Sequence, residues 1–378
     1  MNHPFSQRHL LCIAGLTPQV VTETLYALSR EGNAALPTDI HVLSTEEGIA
    51  RARLTLLSEQ PGWFHRLCDD YQLPAMRFDQ DALHVPTRAN GERLTDIRDG
   101  QDNTAAADAV TEWVRRLTAD DDAQLHVSLA GGRKTLGFFA GYALSLFGRP
   151  QDRLSHVLVN APFESHPNFF YPTPYPEVIY GLPPDARPLD SRDAVVTLAD
   201  IPFVRLRHGL PDSLLKGRAS FSATVGMAQR SLGPPRLEID LARRRLLAGG
   251  LSVELPPAEL AFYLWLARRA LAGQSAVACP SEGAQDRDHA RDFIDAYRAV
   301  IGVMGGEDRV TRGLTDGMDK NYFERRKSRV NRRLRETLGP SAGVYQIQGF
   351  GQRPRTRYGL GLDNRQILIH SVSHENLS

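Results

Sequence analysis

The sequence predicts an α/β protein whose first part carries a mainly parallel sheet and whose smaller second part is built differently. Three observations carry that expectation. Short apolar runs alternate with amphipathic helical patterns through the first half of the chain, the rhythm of strands joined by helices. The stretch Leu125-His126-Val127-Ser128-Leu129-Ala130-Gly131-Gly132-Arg133-Lys134-Thr135-Leu136-Gly137-Phe138-Phe139 reads as a buried strand, a glycine pair, and an apolar helix opened by Arg-Lys-Thr. Basic residues then crowd into the C-terminal third, although the formal net charge is only +1 over 378 residues.

Taken in order, Leu10–Ala14 is the first strand. Gly15-Leu16-Thr17-Pro18 follows and a helix runs through Leu28, with Thr17 as its cap and Pro18 in its first turn. Ile40–Ser44 is a second strand, and Thr45-Glu46-Glu47-Gly48 leads into a helix reaching about Ser58. Trp63–Tyr71 continues helically and Met76–Val85 is extended. Thr104–Thr118 is an amphipathic helix with Ala109, Val110, Trp113, Val114 and Leu117 as its apolar face. Leu125–Leu129, a helix from Lys134 to Phe147, and a strand at His156–Val159 complete the alternation. Asn160–Pro188 is too rich in proline and aromatics for regular helix, and Asp200–Arg207 is one more extended segment. Leu232–Pro235 breaks the chain, so the domains are placed at 1–232, with a core at about 8–190, and 233–378.

The second part begins with Arg236–Leu241 and Arg245–Val253, a small hairpin around Ala248-Gly249-Gly250. Pro256-Pro257-Ala258-Glu259 opens the apolar helix Leu260–Ala272. A polar stretch at Gln274–Arg287 precedes a helix at Ala290–Ile301, and Asn321–Leu338 is a strongly basic helix stopped by Gly339-Pro340. Tyr345–Ile347 and Thr356–Leu362 alternate like a hairpin, with Ile367–Ile369 as a last short strand. Hairpin, helices, basic helix, hairpin is the order of a winged helix-turn-helix domain.

Composition narrows the function classes. A hydrophobic content of 42% and a charged content of 24% are ordinary for a soluble globular protein. Cys12, Cys68 and Cys279 are far apart and form no CxxC pair, which argues against a disulfide framework or zinc cluster and for a reducing cytoplasm. No apolar run approaches the ~20 residues that span a bilayer. Met1–His9 lacks a signal-peptide pattern, so no membrane association is expected.

The Gly131–Thr135 loop has the chemistry of an anion cradle. Glycines let backbone N–H groups approach a phosphate, the helix N-terminus adds partial positive charge, and Arg133 and Lys134 add full charges. It is not a Walker loop, which needs glycines where this chain has Arg133 and Ser128. The plainer alternative is a tight strand–helix turn with solvated cations. A second loop, Gly15-Leu16-Thr17-Pro18-Gln19, also joins a strand to a helix, and two such loops on one sheet face the same crevice.

Gly15-Leu16-Thr17-Pro18-Gln19-Val20-Val21-Thr22-Glu23-Thr24-Leu25 and Ser128-Leu129-Ala130-Gly131-Gly132-Arg133-Lys134-Thr135 resemble the two ligand-loop motifs of CRISPR-associated Rossmann-fold (CARF) proteins. His156-Val157-Leu158-Val159-Asn160-Ala161-Pro162-Phe163-Glu164, continuing to Asn168-Phe169-Phe170-Tyr171-Pro172, resembles the ring-nuclease branch of that family. The resemblance covers roughly the first half of the chain. It implies a Rossmann-like sheet and a homodimer that binds a cyclic oligoadenylate, most often cyclic tetra-adenylate, across its two-fold axis. It also implies that some members cut the ring without a metal or cofactor, through attack of a ribose 2′-OH on the neighbouring phosphate. By the family pattern Lys134 stabilises the phosphoryl charge, Thr17 and the Gly131 and Gly132 amides position the ring, and Arg133 is a second catalytic cation. Gly15, Leu16, Gln19 and Thr135 complete the ligand loops, with Glu46 and Asn160 at neighbouring strand ends as further ligand contacts.

No general base stands out. His126 and His156 fall within strands, Glu46 and Glu47 equally suit a helix cap, and Glu164 and His166 lie where they could cover a bound ring. Phe169, Phe170 and Tyr171 offer adenine stacking or plain packing. Many CARF proteins add a HEPN ribonuclease marked by Arg-x4–6-His on a helix. Arg365 and His370 have that spacing, but Gln366-Ile367-Leu368-Ile369 alternates as a strand does, which removes the collateral-RNase reading.

The basic helix is the second constellation. Arg325, Arg326, Lys327, Arg329, Arg332, Arg333 and Arg335 share it with the apolar stripe Tyr322, Phe323, Val330, Leu334 and Leu338. Arg353, Arg355 and Arg357 sit in the following hairpin. This resembles OmpR-type effector domains, whose recognition helix enters the major groove while the wing touches the backbone, and makes Arg325, Arg326, Arg329, Arg332, Arg333, Arg355 and Arg357 candidate contacts to duplex DNA. A solvated arginine face, or a winged helix used for protein contact, is the alternative. Two functions are therefore expected from different classes: a ring nuclease that switches off type III CRISPR signalling, and a cyclic-oligoadenylate-responsive DNA-binding regulator without significant cleavage.

Overall fold

The computed structural model describes residues 5–129, 134–183, 186–210, 212–217, 219–274, 276–302, 309–352 and 355–370. The chain divides into two compact units, Met1–Arg207 and His208–Ser378. The division precedes the Gly233 break because the helix between them belongs with the second unit: the Arg230 side chain lies against Gly250, close enough that a Cβ there would meet its Cδ at 2.3 Å. Among the described residues no helix is long and apolar enough to cross a membrane.

The first unit runs β1 (Gln7–Ile13), α1 (Gln19–Glu31), β2 (Asp39–Leu43), α2 (Glu46–Leu56), α3 (Trp63–Asp70), β3 (Leu83–His84), α4 (Gly100–Leu117), β4 (Ala123–Ser128), α5 (Lys134–Phe147), β5 (Arg153–Val159), β6 (Val178–Tyr180), β7 (Pro188–Asp190) and β8 (Val196–Asp200). Six strands form one sheet in the order β3-β2-β1-β4-β5-β8, parallel throughout except where β8 runs against β5. Its centre is β1, whose Leu10, Leu11, Cys12 and Ile13 are essentially inaccessible on both faces, as helices on both sides of a parallel sheet require. Leu10 and Cys12 pack with Val21, Leu25 and Leu28 of α1 and Ile49, Ala52 and Leu56 of α2. The strand order reverses between β1 and β4, so the carboxyl ends of these neighbouring strands form a topological switch point.

Several local expectations change. Pro18, not Thr17, holds the N-cap of α1, and no side chain caps it. Met76–Val85 is mostly irregular, with a short 3-10 turn, a single parallel bridge from Arg77 to Asp39 of β2, and Leu83–His84 as its strand in the sheet. The extended segment placed at Asp200–Arg207 lies earlier, at Val196–Asp200, because β5 supplies its pairing partner from Ser155 to Val159. Phe169, Phe170 and Tyr171 are buried; Phe170 stacks on Trp63 at 4.7 Å and Tyr171 donates its hydroxyl to Asp70, so none is free to stack on a ligand.

The second unit holds α6 (Asp212–Lys216), α7 (Phe221–Leu232), β9 (Leu237–Asp240), β10 (Arg245–Ala248), β11 (Leu251–Val253), α8 (Pro257–Leu271), β12 (Val277–Ala278), α9 (Arg287–Ile301), α10 (Arg309–Arg312), α11 (Lys320–Leu338), β13 (Ile347–Phe350), β14 (Arg357–Leu360) and β15 (Ile367–His370). Its core is α8, buried from Ala258 through Ala267, with Phe262 against Phe293 of α9 and Phe323 of α11. The small sheet is β11-β10-β9-β15, so Ala248-Gly249-Gly250 joins β10 to β11. The earlier turn, at Asp240–Arg244, carries no glycine: the Asp240 carboxylate accepts from the Arg243 N–H and Arg244 takes a positive φ. The polar stretch before α9 contributes β12, which pairs with β14 beside β13. Ile367–His370 is a strand paired with β9, so Arg365 and His370 do not share a helix.

Candidate functional site

β1 and β4 end side by side, and the amino ends of α1 and α5 lie at the same edge of the sheet. Gly131, Gly132 and Arg133 lie outside the described residues. Lys134 is the first residue of α5, its side chain also outside the described part, and Thr135 is exposed in the first turn.

The surrounding framework is tightly tied. Thr24 Oγ1 of α1 and Ser128 Oγ at the end of β4 are 3.0 Å apart and buried, which locks α1 to the strand that feeds the glycine loop. Leu129 continues this link: its N–H donates to Ser155 O at 2.9 Å, and its carbonyl lies 2.8 Å from His156 Nδ1. A carbonyl only accepts, so Nδ1 is the donor in this contact. On the other side, Ser44 Oγ donates to the Gly15 carbonyl at 3.2 Å. Gly48, in the first turn of α2, is seated so closely that a Cβ would stand 2.4 Å from that same oxygen. The β1–α1 loop, with Gly15 half-buried, Leu16 exposed and Thr17 half-buried, is thus held from β2 and α2.

A cleft opens at this edge, bounded by Thr17, Gln19, Val20 and Glu23 of the β1–α1 segment, His156–Val159 of β5 and Glu164–His166 of the loop beyond. Gln19 Nε2 donates to Pro167 O at 3.0 Å, tying α1 to that loop, while its Oε1 is buried without a partner. Glu23 is only 6% exposed, and among the described residues no hydrogen bond or ion pair meets its carboxyl. Burial alone pushes that carboxyl up to about 7. Sequence reasoning missed Glu23. Its signal was an acid three residues after Val20 and four before Ala27, on the inward face of an otherwise apolar stripe.

Other expected contacts have structural partners. Asn160 Oδ1 accepts from the Val195 N–H at 2.7 Å, closing the end of the β5–β8 pair. Glu46 is half-buried at the start of α2, 3.5 Å from Arg93 Nε. His166 is buried, with Nε2 2.9 Å from Tyr180 O, whereas Glu164 is exposed at the cleft. His126 faces away from the cleft residues onto Ser155 Oγ at 2.7 Å, and burial with the nearby Arg153 lowers it to about 4.

In the second unit, α11 sorts its arginines. Arg326 is turned inward, 2.6 Å from the buried Glu259 of α8, and is withdrawn from the candidate DNA contacts because α8 supplies the matching charge. Arg329 reaches the same carboxylate at 3.3 Å while staying half exposed. Arg332 and Arg333 are exposed and share Glu336, and Lys327 lies over the Tyr358 ring at 3.8 Å. Arg325, Arg335, Arg355 and Arg357 are exposed.

Fold and cleft together define an α/β protein with a mainly parallel sheet and a polar cleft at the carboxyl edge of its switch point. Residues 17–234 match the family model described as CRISPR-associated protein NE0113. The match covers more than half of the 378 residues, and the chain belongs to that family, which makes it a CRISPR-associated protein. No curated protein matches the chain.

Proposed function

We propose that this protein binds cyclic tetra-adenylate across a homodimer and linearises it, ending a type III CRISPR signal. The observation that carries the reading is the adjacency of β1 and β4 at the switch point, which brings the Gly15–Gln19 loop beside the start of the helix that Lys134 opens. An isologous dimer presents such a pair of loops twice, matching a ring with its own rotational symmetry. The chemistry is transesterification. A ribose 2′-OH attacks the adjacent phosphorus, the P–O5′ bond breaks, the 5′-oxygen takes up a proton, and the product ends in a 2′,3′-cyclic phosphate. Lys134 stabilises charge on the phosphoryl oxygens, Arg133 assists, and Thr17 with the loop amides holds the ring in line. Incubation with cyclic tetra-adenylate in EDTA is expected to yield linear products of that kind, and Lys134→Ala to lower turnover by at least ~10²-fold with the melting temperature retained. An intact ring after long incubation with stoichiometric protein sinks the reading.

A second reading rests on the exposed arginines of α11. The second unit is read as a winged helix-turn-helix domain with α11 as recognition helix, and the first as its ligand sensor. Duplex-DNA affinity that falls steeply with salt and changes with cyclic tetra-adenylate supports a regulator. Negligible affinity at low salt rejects it. Slow cleavage and DNA binding are compatible, because ring lifetime then sets how long the regulator stays liganded.

A further inference from the structure

We propose that the cleft beside the β1–α1 loop is an adenine-reading pocket in which Gln19 and Glu23 recognise the exocyclic-amine edge of one base. The proposal rests on the cyclic-oligoadenylate reading above and assigns the base selectivity of that site. Gln19 and Glu23 are four residues apart on α1 and therefore neighbours on one helix face, and both line the cleft. Each carries an unmet polar group: Gln19 Oε1 is buried with no donor, and the carboxyl of Glu23, a residue only 6% exposed, has no partner among the described residues. An orphaned acceptor and an orphaned carboxyl in a walled cleft cost stability unless a ligand or water meets them.

The chemistry of the pair selects the base. One Nε2 hydrogen of Gln19 is held by Pro167 O, which fixes the amide plane and leaves Oε1 as its unpartnered acceptor. Adenine places an amine donor, N6, next to a ring-nitrogen acceptor, N1 or N7. N6 donates to Gln19 Oε1, and a protonated Glu23 donates its O–H to the ring nitrogen. Guanine puts O6 where N6 stands and meets Gln19 acceptor against acceptor. Val20 and Val157, both buried, supply apolar walls for the ring faces. The protonated form of Glu23 is available near neutrality because burial raises its carboxyl to about 7. The other titratable groups on the cleft are His156, Glu164 and His166.

The test measures equilibrium binding of AMP, GMP and cyclic tetra-adenylate to the full chain between pH 6.5 and 8.5. AMP is expected to bind at least tenfold more tightly than GMP at pH 6.5, and to weaken roughly 20-fold by pH 8.5 as the O–H donor is lost. Glu23→Gln, whose amide keeps a donor at every pH, flattens that profile, and Glu23→Ala lowers AMP affinity at pH 6.5 to about its pH 8.5 value. A flat wild-type profile, an AMP affinity at pH 6.5 unchanged in Glu23→Ala, or a pH dependence surviving in Glu23→Gln each overturns the assignment. The wild-type profile needs no variant, so a folding defect in either substitution does not shield it. If AMP behaves as stated but the ring is not bound, the ring reading falls and the pocket stands. If the ring is bound and cut with no dependence on Glu23, the pocket falls and the ring reading stands.

Discussion

Replacing Gly48 by alanine tests whether the β1–α1 loop is positioned by the helix beside it. The new Cβ would stand 2.1 Å from Ser44 Oγ and 2.4 Å from the Gly15 carbonyl oxygen. Ser44 can rotate away, at the loss of its 3.2 Å hydrogen bond to that carbonyl, about 1 kcal/mol. The carbonyl is backbone and must retreat about 1 Å to reach ordinary contact, which begins at 3.4 Å. Overpacking of this kind costs ~1–3 kcal/mol, partly offset by the ~1 kcal/mol that alanine gains over glycine in a helix. The net expectation is about 1–3 kcal/mol, or a melting temperature lower by roughly 2–12 °C. The larger effect is on function. A 1 Å displacement of the segment bearing Thr17 is expected to slow ring cleavage on the order of 10²-fold. Calorimetry and single-turnover cleavage of cyclic tetra-adenylate read the two effects separately. A lowered melting temperature with wild-type cleavage refutes the positioning role, and no change in either refutes the steric reasoning itself.

Two further predictions concern stability. Burial, with His9 acting on His41 and His41 in turn on His84, lowers the His41 and His84 imidazoles to about 4, as burial does for His126. The unfolded chain therefore takes up protons first. The first unit is fully stabilised above the ordinary value of 6.5 and loses stability as pH falls from there towards 4, so its melting temperature drops between pH 7 and pH 5; a constant value across that window counts against the buried neutral row. Glu259→Ala leaves Arg326, 12% exposed, without its partner and is expected to cost about 3–5 kcal/mol in urea denaturation of the second unit, with Glu259→Gln milder; a loss below about 1 kcal/mol shows the pair to be dispensable.

Much of the fold was legible because it depends on local rules. The helix from Lys134 to Phe147 has both expected ends, and α11 stops at Gly339, which takes a positive φ. The parallel β1 and β4 announced themselves as apolar runs, since both faces are covered. The edge strand β8 did not, because its half-exposed residues carry little pattern and its position follows from pairing with β5.

The candidate site divides along the same line. The sequence alone determined the two strand–loop–helix junctions, the residues on them, and the crowding of arginines onto one helix, because spacing and residue type are local. Only the tertiary structure decided that β1 and β4 are neighbours, and that Gly48 and Ser44 brace the Gly15 carbonyl from another strand. It alone showed that Arg326 turns inward to a carboxylate on α8 and that Glu23 has no partner among the described residues in a cleft walled by β5. Each of these depends on groups far apart in the chain, whose meeting is set by the packing of the whole domain.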